Sequence, residues 1–215
     1  MIISHKHQFI FFAVPRTATH SIRHVLRPHL DAGDWEQQML FGESYIPISE
    51  IASIKHGHIS YRQLEHHLSK EILESYFKFA FVRHPFDRFV STCSFLNRRN
   101  RDFEGRETAF MKQAIRAEPF RQRVLVWPQS DLLSNSDSKV MMDFVGHYES
   151  LQQSYNDICE HIGIPTSELP RENKSMHKKW LDYYDDELKC AVANFYRADF
   201  RLFGYDPDGM DTQWN

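Results

Sequence analysis

The chain has 215 residues and 25.6 kDa, with 41% hydrophobic and 26% charged positions, a composition that predicts one globular domain over residues 1–215 and excludes a disordered tail. Lys+Arg 26 against Asp+Glu 29 leaves a net charge of −3 and a pI near 6.5, which argues against a protein that coats nucleic acid or an anionic bilayer; any basic site must be local. Cys93, Cys159 and Cys190 show no CxxC spacing, so neither a disulfide framework nor a zinc ribbon is expected, and a reducing compartment is the default.

Phe9 to Val14 is the longest apolar run, six residues against the ~18 that a membrane span needs. It ends in Pro15-Arg16 without a small-residue cleavage site, so it does not read as a signal peptide. Gln8 to Val14 reads instead as a buried strand that stops at a proline. A helix follows, with Ser21 as the predicted N-cap and Ile22, Val25, Leu26 and Leu30 on one face. Ser60 is expected to cap a short helix carrying Tyr61, Leu64 and Leu68, and Ser69 with Ile72 and Leu73 to start another. Phe77 to Val82 is the second clear strand, and Pro85 suits the first position of the helix after it. That helix buries Phe86, Phe89, Val90 and Cys93, and its apolar face fades at Asn97. Further helices are expected over Glu107 to Ala117, Leu151 to Ile162 and Asp185 to Tyr196, with a third strand over Val140 to Val145. Trp127, Phe195, Phe200 and Phe203 read as core. Short buried strands alternating with helices predict an α/β fold with a parallel sheet covered by helices on both faces. Such sheets bind ligands at the carboxyl ends of their strands, which directs attention to the loops after Val14 and Val82.

The first of these, VPRTATHSI (Val14 to Ile22), leads from a strand into a helix N-terminus, where unused N–H groups and the helix dipole favour an anion. Thr17, Thr19 and Ser21 offer hydroxyl donors, and Arg16 a cation able to grip two anionic oxygens. The loop lacks the GK[ST] ending of an ATP- or GTP-binding loop, and an ordinary capped turn would use the same residues. The second, FVRHPFDRFVSTCSFL (Phe81 to Leu96), places Arg83 at a strand end and Ser91 eight residues later, within the following helix. Arg88, Arg98, Arg99 and Arg101 add positive charge there against Asp87, with Arg98 to Arg101 reading as a solvated face.

These two segments, in this order, resemble the carbohydrate sulfotransferases that use 3′-phosphoadenosine 5′-phosphosulfate (PAPS), in particular the heparan-sulfate and uronyl 2-O-sulfotransferase branch. VPRTATHSI resembles the 5′-phosphosulfate loop of that family, and Arg83 with Ser91 its 3′-phosphate pair. KHGHISY (Lys55 to Tyr61) resembles the HGH segment of the 2-O-sulfotransferases, and WPQSDLL, FVGHYESL and YYDDELKCAVANFYRADFRLFGY resemble later landmarks. The resemblance implies a P-loop-kinase-like α/β fold and a sulfotransferase moving the sulfuryl group from PAPS to a hydroxyl acceptor, with a saccharide favoured, by in-line displacement. It implies nucleotide contacts at Pro15, Arg16, Thr17, Ala18, Thr19, His20, Ser21, Arg83 and Ser91, with Tyr148 against the adenine and Lys174 towards the 3′-phosphate.

The resemblance of the HGH segment implies that its second histidine, His58, is the base, with His56 in reserve, and a neutral imidazole of ordinary pKa suits proton removal from a hydroxyl at neutral pH. Arg16 is expected to stabilise the charge that develops during transfer. Three departures stand out: Arg16 replaces the usual loop lysine, His20 a hydroxyl residue, and His84 the Asp or Asn after the arginine. No metal is expected, since His56 and His58 lack acidic partners at ligand spacing. No nucleic-acid or membrane partner is expected either, and without the apolar anchor of membrane-resident members a cytoplasmic setting is expected. A kinase-like phosphotransferase, which would need Mg²⁺, and a non-catalytic nucleotide-binding module are the alternatives.

Overall fold

A computed structural model describes residues 1–39, 43–100, 103–170 and 180–208. In chain order they form β1 (Ile2–Ser4), β2 (Phe9–Phe12), α1 (Thr19–Leu26), β3 (Trp35–Glu36), α2 (Ser49–Ala52), α3 (Tyr61–Leu64), α4 (Lys70–Ser75) and β4 (Phe77–Val82). Then come α5 (Pro85–Asn97), α6 (Glu107–Arg116), α7 (Glu118–Arg121), α8 (Gln129–Leu133), β5 (Phe144–His147), α9 (Leu151–Ile162), α10 (Asp186–Phe195) and α11 (Arg197–Phe203). These group into two compact units: Met1–Val82 with Gln129–Glu172, and Arg83–Pro128 with Asn173–Asn215. Among the described residues no helix is long and apolar enough to cross a membrane.

The first unit is built on a five-stranded mixed sheet of order β3-β1-β2-β4-β5. Its centre, β2-β4-β5, is parallel, as the unbroken apolar runs predict, while β1 runs antiparallel to both β2 and β3. On one face Phe9, Phe11, Phe79 and Phe81 meet Ile22, Val25 and Leu26 of α1 and Tyr155, Ile158, Cys159 and Ile162 of α9 in one core. The rings of Phe11 and Phe79 stack at 5.3 Å. Ile10, Phe12, Ala80 and Val82 point to the other face and are equally buried, with the Phe12 ring 6.1 Å from Tyr61 of α3. Burial on both faces explains why these strands are almost continuously apolar rather than alternating, Lys78 of β4 being the exception.

Two expectations shift. The strand expected over Val140 to Val145 starts later, at Phe144, because Asp143 clips onto Lys78: its N–H donates to the Lys78 carbonyl at 2.8 Å and its Oδ2 receives the Lys78 N–H at 2.7 Å. Val140 instead forms an isolated bridge to Ser134. Ser21 is not the cap of α1; Ala18 holds that position in the left-handed region (φ 61°), and the Ser21 hydroxyl donates to the Pro170 carbonyl at 2.9 Å. Ser60 and Ser69 do cap α3 and α4, Ser60 through a reciprocal box with Gln63.

The second unit is helical. Pro85 opens α5 as expected, and Phe86, Phe89, Val90 and Cys93 form its buried face alongside the buried Leu188 and Val192 of α10. Arg88, read as part of a basic patch, is instead buried among them. Its guanidinium donates to the Trp127 carbonyl at 2.5 Å and the Leu125 carbonyl at 3.4 Å and lies 5.2 Å from the Tyr196 ring centre. Phe200 and Phe203 are core residues of α11, whereas Trp127 and Phe195 are only half-buried.

Candidate active site

The first candidate loop leaves β2 and enters α1 with an unusual backbone. Arg16 and Ala18 both have positive φ (66° and 61°), while Thr17 between them does not. Each left-handed non-glycine residue costs ~1–2 kcal/mol, and an alternation of hand turns successive N–H groups into one concavity, the form of an anion nest. The first helical bond closes from the Ile22 N–H to the Ala18 carbonyl at 3.1 Å, so the amides of Thr19, His20 and Ser21 begin the helix without intrahelical acceptors. α1 has no side-chain cap and no acidic residue in its first turn, which leaves the positive end of its dipole unopposed from within. This donor set fits a phosphate or sulfate.

The hydroxyls serve differently from expectation. Thr17 is buried and donates to the Val14 carbonyl at 2.9 Å, and Ser21 donates to Pro170. Both therefore hold the loop's shape. Pro15 and Thr19 are buried, Arg16, Ala18 and His20 half-buried.

The HGH turn meets the root of this loop. The His58 Nδ1 lies 2.7 Å from the Ala13 carbonyl oxygen, which only accepts, so Nδ1 carries the proton and Nε2 the lone pair. His56 faces the same turn: its Nδ1 receives the His58 backbone N–H at 3.4 Å, and the two rings lie 6.2 Å apart. Burial pushes the His58 imidazole down from 6.5 to about 3, against the opposing effect of the Ala13 bond, and nearby positive charge including Arg23 adds to the drop. His58 is half-buried by area but closely surrounded. Burial also lowers His56. The ordinary imidazole value assumed from sequence therefore does not hold: burial keeps the His58 ring in its neutral form, with the lone pair on Nε2.

Gly57 sits between these histidines because nothing larger fits. A Cβ there would lie 2.5 Å from the Gln37 carbonyl oxygen and 2.7 Å from Arg23 Nη2. The Arg23–Glu36 pair behind the turn was not singled out from sequence; α1 and β3 bring it there from positions 13 apart, and no local pattern signals it.

Tyr148 lies in a single 3-10 turn directly after β5 and is half-buried. Because β2, β4 and β5 are parallel, the loop after β2 and Tyr148 lie along the same carboxyl edge of the sheet. Lys174 falls outside the described residues. In the second unit Arg83 and Ser91 are both buried, at 7% and 1% exposure. Arg83 directs Nε and Nη2 to Asp87 Oδ2, each at 2.7 Å, so its charge is partly offset by a neighbour on α5. His84 stacks on Trp180 at 4.8 Å and meets the edges of Phe200 and Tyr205, which gives the departure at this position a packing reason. Arg98 and Arg99 are exposed. Among the described residues no three His, Cys, Asp or Glu side chains gather as a metal site would require.

A mixed sheet with a parallel centre whose first βα loop is an anion nest, flanked by helices, fits the family whose model matches residues 1–206, and the chain belongs to that Sulfotransferase family. Mouse carbohydrate sulfotransferase 11 is 23% identical over 95% of this chain and 66% of its own length. Human carbohydrate sulfotransferase 14 is 23% identical over 95% of this chain and 60% of its own. An uncharacterized protein of Archaeoglobus fulgidus is 28% identical over 47% of this chain and 80% of its own. The chain thus spans less than two thirds of the length of the carbohydrate sulfotransferases it matches. No solved structure matches it.

Proposed function

We propose that this chain is a PAPS-dependent O-sulfotransferase that acts on a saccharide hydroxyl, with His58 as the base. The observation that carries the proposal is the His58–Ala13 bond: it selects the tautomer with a proton-accepting Nε2 and ties that ring to the residue that leads into the anion loop. Family membership and the names of the carbohydrate sulfotransferase relatives support the reaction class and the acceptor class. PAPS, when bound, supplies the activated sulfuryl group. The nest of Arg16 to Ser21 holds the phosphosulfate end, Arg83 and Ser91 hold the 3′-phosphate, and Tyr148 stacks on the base. His58 Nε2 takes the acceptor hydroxyl proton as the new O–S bond forms and the S–O bond to phosphate breaks, and Arg16 stabilises the charge left on that phosphate.

Transfer from labelled PAPS to a panel of saccharides, small alcohols and peptides tests the reading. Label should reach a saccharide, without added metal, and His58→Ala should lower that transfer by about 10²-fold or more. Stabilisation by 3′-phosphoadenosine 5′-phosphate (PAP) with no transfer to any acceptor would select a binding module instead, and Mg²⁺-dependent phosphate transfer from ATP a kinase.

A further inference from the structure

We propose that Arg23 is a positioning residue for this reaction: its guanidinium holds the Gly57 carbonyl and so fixes the HGH turn, and the His58 ring with it, relative to the anion loop. The inference rests on the function proposed above and extends it to a residue that touches neither nucleotide nor acceptor.

Arg23 lies on α1, the helix whose N-terminus carries the anion loop, and is 4% exposed. Its fork reaches three acceptors: Glu36 Oε1 at 2.7 Å, the Gln37 carbonyl at 3.1 Å and the Gly57 carbonyl at 3.2 Å. Glu36 is in turn gripped by Arg27 through Nε and Nη2, both at 3.0 Å, and Arg27 Nη2 also donates to Gln38 Oε1 at 2.6 Å. Burial raises the Glu36 carboxyl, but its bonds to Arg27 and the charges of both arginines outweigh this and hold it below the usual range. The carboxylate is therefore charged and bonded to both arginines.

Stability alone is a poor reason for such a group, since a buried ion pair is often no better than apolar residues of the same volume. What it does provide is direction. A planar guanidinium can bind a carboxylate and two carbonyls in one fixed arrangement, which neither an apolar side chain nor a lysine reproduces. The turn packs straight onto it, as the space at Gly57 shows. The His58 ring is consequently held by Ala13, and the Gly57 carbonyl next to it by Arg23 at 3.2 Å together with the Met1 ammonium at 2.7 Å. Ala13 leads into the anion loop and Arg23 follows it, so base and loop share one support. A misplacement of ~1 Å costs about 10²-fold in rate, which is the scale on which such a support matters.

The test compares wild type with Arg23→Lys, which keeps the charge and loses the fork. On a saccharide acceptor that accepts label, kcat should fall about tenfold or more, the KM for PAPS should stay within about twofold, and PAP should raise the melting temperature as in wild type. The imidazole nitrogen resonances of His58, identified by their loss in His58→Ala, should move from a pure Nδ1–H pattern to a mixture of tautomers. A purely structural Arg23 would lower the melting temperature while leaving the His58 resonances and the rate of the folded fraction unchanged, and that result overturns the proposal. If Arg23→Lys does not fold, Glu36→Gln, which keeps the fork but loosens its anchor, should show the same changes at smaller size; unchanged His58 resonances and kcat there also overturn it. If wild type transfers no sulfate to any acceptor, the functional reading falls, while the His58 resonances still decide whether Arg23 fixes the ring.

Discussion

Replacing His58 by asparagine separates what acid does to this protein from what it does to other carboxylates and histidines. The asparagine amide can keep a donor on the Ala13 carbonyl but takes up no proton. In wild type the unfolded chain protonates His58 near 6.5, and the folded chain does so only near 3. The folded state thus enjoys its full advantage above 6.5 and loses it progressively as the pH falls towards 3, at ~1.4 kcal/mol per pH unit. Between pH 7 and pH 4 the ceiling is therefore about 3.4 kcal/mol, a large share of the ~5–15 kcal/mol that holds a domain folded. The ring is only half-buried, so solvent screening brings the expected effect to roughly 1–3 kcal/mol. Asp34 and Glu36, whose carboxyls are held below their usual range, and His56 lose stability in acid in the same direction, but they do so in both proteins and cancel in the difference. Urea unfolding at pH 7 and pH 4 gives the quantity directly: wild type should lose about 1–3 kcal/mol more than His58→Asn. Equal losses, within about 0.5 kcal/mol, would show that His58 titrates normally and that its burial has been misjudged. The transfer rate carries the companion result, a flat profile from pH 8 to pH 5 without an inflection at the ordinary imidazole value.

Further outcomes follow from the same geometry. His58→Ala should lower transfer by about 10²–10⁴-fold while PAP still raises the melting temperature, and His56→Ala, which removes only the partner of the His58 N–H, should cost less. Arg16→Ala should reduce kcat by about 10²-fold or more with little change in PAP affinity, and Arg16→Lys should recover part of it; normal turnover in both would move the charge-stabilising role elsewhere. In wild type, PAP at 100 times its Kd should add about 2.7 kcal/mol, or roughly 5–11 °C, with or without EDTA, and Arg83→Ala should remove most of that shift. Ala18→Gly should relieve the left-handed strain and raise the melting temperature by roughly 2 °C, measurable by calorimetry, whereas a lower value would mean that the strain is absent.

The parts of this protein that are governed by short-range pattern were legible in one dimension. Short, mostly apolar runs bounded by turn residues read as strands buried on both faces, so β2 and β4 stood out, and Pro85, Ser60 and Ser69 marked helix starts because capping depends on immediate neighbours. The loop type was visible for the same reason, since a strand-to-helix turn rich in hydroxyls and arginine reads locally. Tertiary structure decided what each of those groups does. Whether Thr17 and Ser21 face a ligand or brace the backbone depends on Val14 and on Pro170, the latter 149 residues from Ser21. Whether Arg88 belongs to a basic surface or a core depends on carbonyls near residue 126. The proton affinity of His58 is set by burial and by Ala13, 45 residues away, and the Arg23–Glu36 support exists only once α1, β3 and the HGH turn converge. Residue type and spacing announce a chemistry, but desolvation and hydrogen-bond partners are properties of the packed chain, and these set the tautomer, the charge and the aim of each side chain.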